Sequence, residues 1–335
     1  MNAKKDGIQA VPTNIITGFL GVGKTSAILH LLKLKPSNER WAVLVNEFGE
    51  IGVDGSLIES QLDQDQGIFI REVPGGCMCC AAGLPMQVAL NQLLTRAKPD
   101  RLLIEPTGLG HPKEILQVLC ADNYQDVLSL QKTLTLVDAR KLSDQRYTTH
   151  DTFNQQIGIA DIVVGNKLDL YQDDDKPRLN AYVEKHAQPH TNITYCQYGE
   201  ISVSLLDGPT KANETKPHHH HHHDNRNNPL VLELDIPDCG FIKAANQGEG
   251  FNSIGWRFSP TKIFSYHKLF TFLSGIDAER MKAVFITDTG TFAYNLTTDS
   301  LTEMPLDDSI ESRIEIISKH LDESLETQLM NCLNV

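Results

Sequence analysis

The stretch GFLGVGKT, residues 18–25, decides the fold of this chain. It matches every fixed position of the phosphate-loop pattern G-x-x-x-x-G-K-[ST], with an apolar strand predicted before it and a helix after it. Glycine is required because backbone N–H groups must approach phosphate oxygens more closely than side chains would allow. The sequence therefore predicts a P-loop NTPase, and a Gly-rich turn that matches by coincidence is the alternative.

Two residues of this loop have expected chemical roles. Lys24 should reach the β- and γ-phosphates, and the hydroxyl of Thr25 should bind Mg²⁺. The residues of the loop predicted to bind the nucleotide are Gly18, Gly21, Val22, Gly23, Lys24, Thr25 and Ser26.

A second motif, Asn166-Lys167-Leu168-Asp169, follows a later apolar strand and predicts selection of guanine. The carboxylate of Asp169 can accept hydrogen bonds from both the ring N1–H and the exocyclic amine of guanine, whereas adenine presents an acceptor at N1. Lys167 can lie across the base or brace the phosphate loop. An ordinary polar turn is the alternative, but the order and spacing after the P-loop favour a nucleotide site for GTP and GDP.

The segment LLIEPTG, residues 102–108, lies between these motifs and is a predicted strand that ends in an acidic residue. In P-loop proteins a carboxylate here orients Mg²⁺ or its water, and a nearby glycine amide can sense the γ-phosphate. Glu105 and Gly108 are the candidates for these two roles. A structural acidic strand end before a proline turn is the alternative.

A candidate metal site combines two further segments. Cys77, Cys79 and Cys80 offer thiolates that suit zinc and other soft or borderline metals, after glycines that permit a tight turn. Three thiolates leave a tetrahedral ion one ligand short, and Glu50, from the acidic segment 46–54, is a candidate fourth ligand. A redox pair or buried small side chains are the alternatives. The other cysteines, at positions 120, 196, 239 and 332, are scattered and predicted to be packing residues.

Composition limits the partners. The net charge is −13 and no basic stripe is visible, which argues against a nucleic-acid partner. No apolar run approaches the length of a membrane span, and the polar start lacks the core of a secretory signal. A cytoplasmic protein with no membrane partner is expected.

The order of predicted elements indicates two domains. Up to residue 207, strands and helices alternate as in an α/β protein with a mostly parallel sheet and helices on both faces. Strands are predicted over residues 13–17, 41–46, 68–73, 101–105, 134–138, 162–166 and 193–196, and helices over 24–34, 84–97, 113–119, 152–158 and 176–186.

Residues 208–229 are predicted to be a flexible linker, and residues 230–335 a small α+β domain. In that domain, strands are predicted over 230–236, 253–258, 283–287, 291–295 and 313–318, and helices over 262–273 and 322–332. Six consecutive histidines, 218–223, stand inside the linker rather than at a terminus, which favours a native segment over a purification tag. On a flexible tether they would collect or buffer divalent metals with little selectivity.

Together these motifs resemble the CobW-type metallochaperone GTPases, and the Cys-x-Cys-Cys element is the most specific mark of the resemblance. The likeness covers most of the chain, since that family also has a histidine-rich connector and a small C-terminal domain. It implies the SIMIBI class of P-loop GTPases, with GTP hydrolysis at Lys24, Thr25 and Glu105 and a transferable metal at Cys77, Cys79 and Cys80, completed by Glu50.

The implied function is delivery of a divalent metal to client metalloproteins, with zinc first and cobalt or nickel as further candidates. The segment Met281-Lys282-Ala283 departs from the more basic and aromatic pattern of many relatives, so client contacts there do not carry over. Three other functions stay open: a non-enzymatic metal sensor or storage protein, a cobalt chaperone for cobalamin metabolism, and an NTPase regulated by disulfides of Cys79 and Cys80. Whether the chain forms a homodimer also stays open.

Overall fold

Two β-sheets organise the chain in a computed structural model that describes residues 8–46, 67–73, 84–110, 112–211, 236–248, 250–306 and 308–334. The chain divides into two compact units, one built on each sheet. Within the described ranges, no helix is both long and apolar enough to cross a membrane.

In the part of the first unit that the structure describes, the sheet has eight strands. Its elements are β1 (Val11–Gly18), α1 (Lys24–Lys33), β2 (Trp41–Asn46), β3 (Ile68–Val73), α2 (Leu84–Ala97), β4 (Arg101–Glu105), α3 (Pro112–Leu119), β5 (Leu128–Leu130), β6 (Leu134–Val137), α4 (Gln145–Thr148), α5 (Asp151–Gly158), β7 (Ile162–Gly165), α6 (Asp175–His186) and β8 (Asn192–Tyr195). Short 3₁₀ turns lie at Ala139–Ser143, Leu168–Leu170 and Val203–Leu206.

The sheet order is β3-β2-β4-β1-β6-β7-β8, with β5 paired to β1. The pairs β1–β4, β2–β4, β1–β6, β6–β7 and β7–β8 are parallel. Strands buried on both faces read as continuous apolar runs, and Leu102, Leu103 and Ile104 of the central strand β4 are at most 1% exposed. Because the strands are parallel, the motifs that follow β1, β4 and β7 meet at one edge of the sheet.

This arrangement confirms the predicted α/β P-loop fold. The seven predicted strands of the first unit are present with small shifts at their ends, as are the five predicted helices. Strand β5 was not predicted, since three residues give too little alternation to detect. Residues 208–211 still contact this unit, because the N–H groups of Gly208 and Lys211 donate to Gln131 and Asp161. The domain boundaries at 207 and 230 stay a prediction.

Among its described residues, the second unit has an antiparallel sheet of six strands with two helices. Its elements are β9 (Phe241–Gly248), β10 (Phe251–Phe258), α7 (Tyr266–Ser274), β11 (Arg280–Thr287), β12 (Gly290–Thr297), β13 (Leu301–Leu306), β14 (Ser312–Ser318) and α8 (Leu325–Met330), in the sheet order β13-β12-β11-β14-β10-β9. Trp256, Phe258 and Phe285 form the core with Leu269 of α7 and Leu329 of α8. The predicted α+β domain is confirmed.

The predicted elements of this unit differ from the structure at two missed strands and one helix start. Strands β9 and β13 were missed, and the helix predicted from residue 262 begins only at Tyr266. That start was wrong because Phe264, which is fully buried, forms β-bridges with Thr287 and Leu333 instead of a helical turn. The strand predicted over 230–236 lies outside the described residues except for Ile236, which is not in a strand.

Candidate nucleotide site

The loop between β1 and α1 has the shape that a phosphate-binding cradle requires. Gly18 and Gly23 have φ angles of 147° and 96°. A Cβ atom at Gly18 would lie 2.4 Å from the carbonyl oxygen of Leu136, and one at Gly23 would lie 2.5 Å from Nδ2 of Asn166. Neither position tolerates a side chain, so both must be glycine for the loop to pack against Leu136 and Asn166. Their predicted role in binding phosphate stays a prediction.

Lys24 is folded back across its own loop. Its Nζ donates hydrogen bonds to the carbonyl oxygens of Gly18, at 3.0 Å, and Phe19, at 3.2 Å, and the residue is 6% exposed. The ammonium group therefore lies against the backbone of the loop that it is predicted to serve. Phosphate oxygens are stronger acceptors than these carbonyls because they are charged, so the side chain can exchange one set of partners for the other.

Thr25 and Glu105 meet where β4 ends beside the start of α1. The hydroxyl of Thr25 donates to Oε1 of Glu105 at 3.0 Å, and Glu105 is 3% exposed. A hydroxyl and a carboxylate at this separation form the kind of all-oxygen set that Mg²⁺ prefers. Thr25, predicted to bind Mg²⁺, and Glu105, predicted to orient Mg²⁺ or its water, are therefore in contact in the structure.

Gly108 lies against the phosphate loop. A Cβ atom there would be 2.8 Å from Cδ2 and 3.0 Å from the backbone nitrogen of Leu20. Its carbonyl oxygen accepts a hydrogen bond from Nε2 of Gln156, 48 residues away, at 3.0 Å. The predicted sensing glycine is thus next to the loop that it would serve, and Gln156 is a contact that the sequence did not indicate.

Asn166 fastens the guanine end of the site to the phosphate end. Its Nδ2 donates to the carbonyl oxygen of Val22 at 2.8 Å, while its Oδ1 accepts from the backbone N–H of Gly199 at 3.1 Å and the thiol of Cys196 at 3.3 Å. The side chain is 2% exposed. Asn166 therefore connects two loops by hydrogen bonds, a structural role that the motif by itself does not indicate.

The other two residues of the guanine motif are arranged around a short turn. Lys167 has a φ of 62°, and its Nζ is 3.8 Å from Oδ2 of Asp138, which also pairs with Arg140. Asp169 lies in the 3₁₀ turn that follows and is exposed. Its carboxylate is accessible for the two donors of a guanine ring, as the motif predicts.

The loop after β8 contributes residues that sequence reasoning missed. Cys196 was grouped with the packing cysteines, yet its buried thiol contacts Asn166, and burial raises its pKa to about 11. Gly199 has a φ of 75°, and a Cβ atom there would lie 2.6 Å from the backbone nitrogen of Ala27 in α1. In the sequence, the one feature that points to this loop is a glycine shortly after the end of β8.

The predicted metal ligands Cys77, Cys79, Cys80 and Glu50, and the histidines 218–223, lie outside the described residues. In the ranges that the structure does describe, no three His, Cys, Asp or Glu side chains form a group suited to a metal ion. Strand β2 ends at Asn46, and its Val45 is in register with Glu105. The acidic segment therefore begins at the sheet edge that carries the Thr25–Glu105 pair.

On this fold the chain has a phosphate cradle, the contact between Thr25 and Glu105, and a guanine motif. These features define a P-loop GTPase. The family model described as "CobW/HypB/UreG, nucleotide-binding domain" matches residues 12–194. The chain belongs to the CobW/HypB/UreG family.

Its relatives include proteins with metal-related names. The zinc chaperone YeiR of Escherichia coli (strain K12) is 40% identical over 91% of this chain and 92% of its own length. The zinc chaperone YjiA of the same organism is 31% identical over 69% of this chain and 74% of its own length. Among solved structures, the Zn(II)-bound YjiA GTPase from E. coli covers 96% of this chain and 99% of its own, with 18% identity and a TM-score of 0.43.

Proposed function

We propose that this GTPase is a metallochaperone that holds a divalent metal, zinc in the first place, at Cys77, Cys79 and Cys80 and transfers it to client metalloproteins. The observation that carries the proposal is the common sheet edge of β2 and β4. Val45 and Glu105 are register partners there, so the segment containing Glu50 starts beside the Thr25–Glu105 pair. Glu50 follows Val45 by only five positions in the sequence, which supports a link between the nucleotide and the proposed metal ligand.

The nucleotide end performs the hydrolysis of GTP. A water oxygen bonds to the γ-phosphorus, the bond from that phosphorus to the bridging oxygen of the β-phosphate breaks, and GDP and inorganic phosphate are the products. Lys24 would neutralise the phosphates, and Thr25 with Glu105 would hold Mg²⁺ directly or through its water. Bound Mg²⁺ supplies positive charge that stabilises the charge developing on the phosphate oxygens.

At the proposed metal site, zinc is the ion that is bound and then transferred. Three thiolates and one carboxylate make a tetrahedral set that suits zinc, and the zinc-chaperone names of the relatives support that choice. Cobalt and nickel remain candidates because thiolate sites bind several first-row metals and geometry alone selects weakly. We place this exchange in the cytosol, where thiols stay reduced, with client metalloproteins as partners.

A nucleotide can drive metal transfer only if the metal has different affinities in the two nucleotide states. We expect zinc affinity to differ by about tenfold between the GDP form and the form with a non-hydrolysable GTP analogue, within the usual range of coupling energies. Competition with a chromophoric chelator measures both affinities on the full chain and on a variant that lacks residues 218–223, in which the histidines do not compete.

Two cysteine substitutions test the metal site, one in the proposed ligand set and one as its matched control. Cys79→Ser should remove the high-affinity zinc, while Cys239→Ser should keep it, because Cys239 is exposed in the second unit and lies outside the proposed ligand set. Equal zinc affinity with GDP and with the GTP analogue would refute the coupling. Retention of zinc by Cys79→Ser would refute the site.

A further inference from the structure

Gln156 stands out as a polar side chain buried in the core of the first unit. It lies on α5, is 1% exposed, and donates from Nε2 to the carbonyl oxygen of Gly108 at 3.0 Å. We infer that Gln156 is a positioning residue for GTP: by holding the carbonyl group of Gly108 it restricts the backbone rotation of that glycine, and so orients the Gly108 N–H that would contact the γ-phosphate. This inference rests on the proposed hydrolysis of GTP and adds to it a residue remote from the sequence motifs.

The backbone conformation of Gly108 must be fixed by contacts from outside its own residue. Glycine has wide conformational freedom, and a loop that depends on one glycine amide must fix that peptide by other contacts. The N–H of Gly110 donates to the carbonyl oxygen of Thr107 at 3.1 Å, which closes the turn around Gly108. The bond from Gln156 then fixes the peptide that begins at the Gly108 carbonyl relative to the core.

The helix that carries Gln156 is fastened to the strand that carries the phosphate loop. The hydroxyl of Thr135 in β6 donates to the carbonyl oxygen of Gln156 at 2.7 Å, and Thr135 is the register partner of Thr17 in β1. Strand β1 continues into Gly18 of the cradle. Gln156 therefore connects Gly108 to β1, the strand that leads into the loop carrying Lys24. These contacts do not involve the nucleotide.

Packing alone does not account for a glutamine at this position. Its Oε1 atom is buried and has no hydrogen-bond partner among the described residues, and neither does the hydroxyl of Thr152 one turn earlier on the same helix. A buried amide with an unsatisfied atom costs stability relative to an apolar side chain of similar size. The hydrogen bond to Gly108 is the contact that an apolar residue would lose.

The expected signature separates GTP from GDP. In Gln156→Met, the affinity for a non-hydrolysable GTP analogue and the kcat for GTP should each fall by about fivefold to tenfold, the effect of one hydrogen bond of ordinary strength. GDP affinity should stay within about twofold, since GDP has no γ-phosphate to contact Gly108. A general loosening of the fold would lower the affinities for both nucleotides together.

The experiment measures binding of both nucleotides and phosphate release by the full chain and its variants. Gln155→Met is the matched control, because the neighbouring glutamine bonds to Asp151 on its own helix in a solvent-exposed contact. If Gln156→Met does not fold, Gln156→Asn carries the same test, since it keeps the amide but withdraws it from Gly108 by one methylene.

Two results would overturn the inference: a Gln156 variant that matches Gln155→Met in GTP-analogue affinity and kcat, or one that loses GTP and GDP affinity equally. Failure of the unsubstituted chain to hydrolyse GTP is a separate result and would overturn the proposed function instead.

Discussion

The two ends of the nucleotide site hold their polar groups in different ways. At the phosphate end, Lys24 donates to carbonyls of its own loop and Thr25 to Glu105, bonds that can be exchanged for bonds to phosphate and magnesium. At the guanine end, Asn166 joins Val22 to Gly199, and these contacts can persist when a base binds. The phosphate end is therefore arranged to change partners, whereas the guanine end is arranged to stay fixed.

This difference makes opposite demands on stability and activity. A side chain that exchanges partners can be removed with little effect on the fold but a large effect on the reaction. A side chain that joins two loops affects both, because its removal leaves buried backbone groups unpaired. Measurements on Lys24, Asn166 and Cys196 test whether the two ends behave in this way, and they are ordered by the size of the expected effect.

The largest effect is expected for Lys24→Ala. Loss of a positive group aimed at the developing phosphate charge should lower kcat for GTP by about 100-fold or more. The midpoint of thermal unfolding should fall less than in Asn166→Ala, because the hydrogen bonds of Lys24 to Gly18 and Phe19 lie within one loop, whereas those of Asn166 join distant segments. Phosphate release and thermal unfolding measure the two quantities.

Lys33→Ala is the control for this change, because Lys33 is an exposed lysine in the last turn of the same helix. Its kcat should equal that of the unsubstituted chain. A Lys24→Ala variant that hydrolyses GTP within threefold of the Lys33 variant would contradict the assignment.

An intermediate effect is expected for Asn166→Ala. The substitution removes a partner from the Val22 carbonyl and the Gly199 N–H, so the free energy of unfolding should fall by about 2–4 kcal/mol, and affinities for GTP and GDP should fall together. Urea unfolding and nucleotide titration provide the measurements.

Asn180→Ala is the matched control for Asn166→Ala, since Asn180 bonds to the hydroxyl of Tyr195 at an exposed position. Its cost should stay below about 1 kcal/mol. If both asparagine variants unfold at the same urea concentration, the guanine end is not the fixed part of the site.

The smallest effect concerns Cys196, whose thiol contacts Asn166. Burial raises its pKa from 9.0 to about 11, so at pH 8 only about one thiol in a thousand is ionised in the folded chain. Alkylation of Cys196 by iodoacetamide should be slow in the folded protein and fast in urea, as followed by peptide mass spectrometry. Equal rates in both states would show that this thiol is not held in the core.

The same pKa shift sets a dependence of stability on pH. Below pH 9 the thiol is protonated in both the folded and the unfolded chain, so its contribution to stability is fully present. Between pH 9 and 11 the unfolded chain loses the proton first, and the free energy of unfolding should fall with rising pH, by at most about 2–3 kcal/mol. Cys196→Ser, which does not titrate in this range, should reduce that decline.

The comparison of the two ends also explains which residues the sequence revealed. Lys24, Thr25 and Glu105 belong to short motifs that the sequence shows directly, and in the structure Thr25 donates to Glu105. Cys196, Gly199 and Gln156 belong to no such motif. They act through contacts with residues 30, 33 and 48 positions away, and their roles depend on how distant segments pack.

Elements of the fold that depend on local sequence were likewise predicted, whereas those that depend on distant contacts were not. Long apolar strands such as β4 and helices such as α2 were found from periodicity. The start of α7 was misplaced because Phe264 fits a helical pattern locally but is bound to strand residues in the folded unit. Strand β5, with three residues, is recognisable only through its pairing with β1.

The sequence by itself determined the phosphate loop, because glycines at positions that exclude a Cβ atom and a lysine beside them suffice to specify a backbone cradle for phosphate. It also determined the guanine motif and the parallel sheet that brings the two together. Only the tertiary structure decided what holds each end in place: Asn166 bound between Val22 and Gly199, and Gly108 bound to Gln156. Hydrogen bonds between distant segments form only after the chain has packed, so local sequence patterns do not contain them.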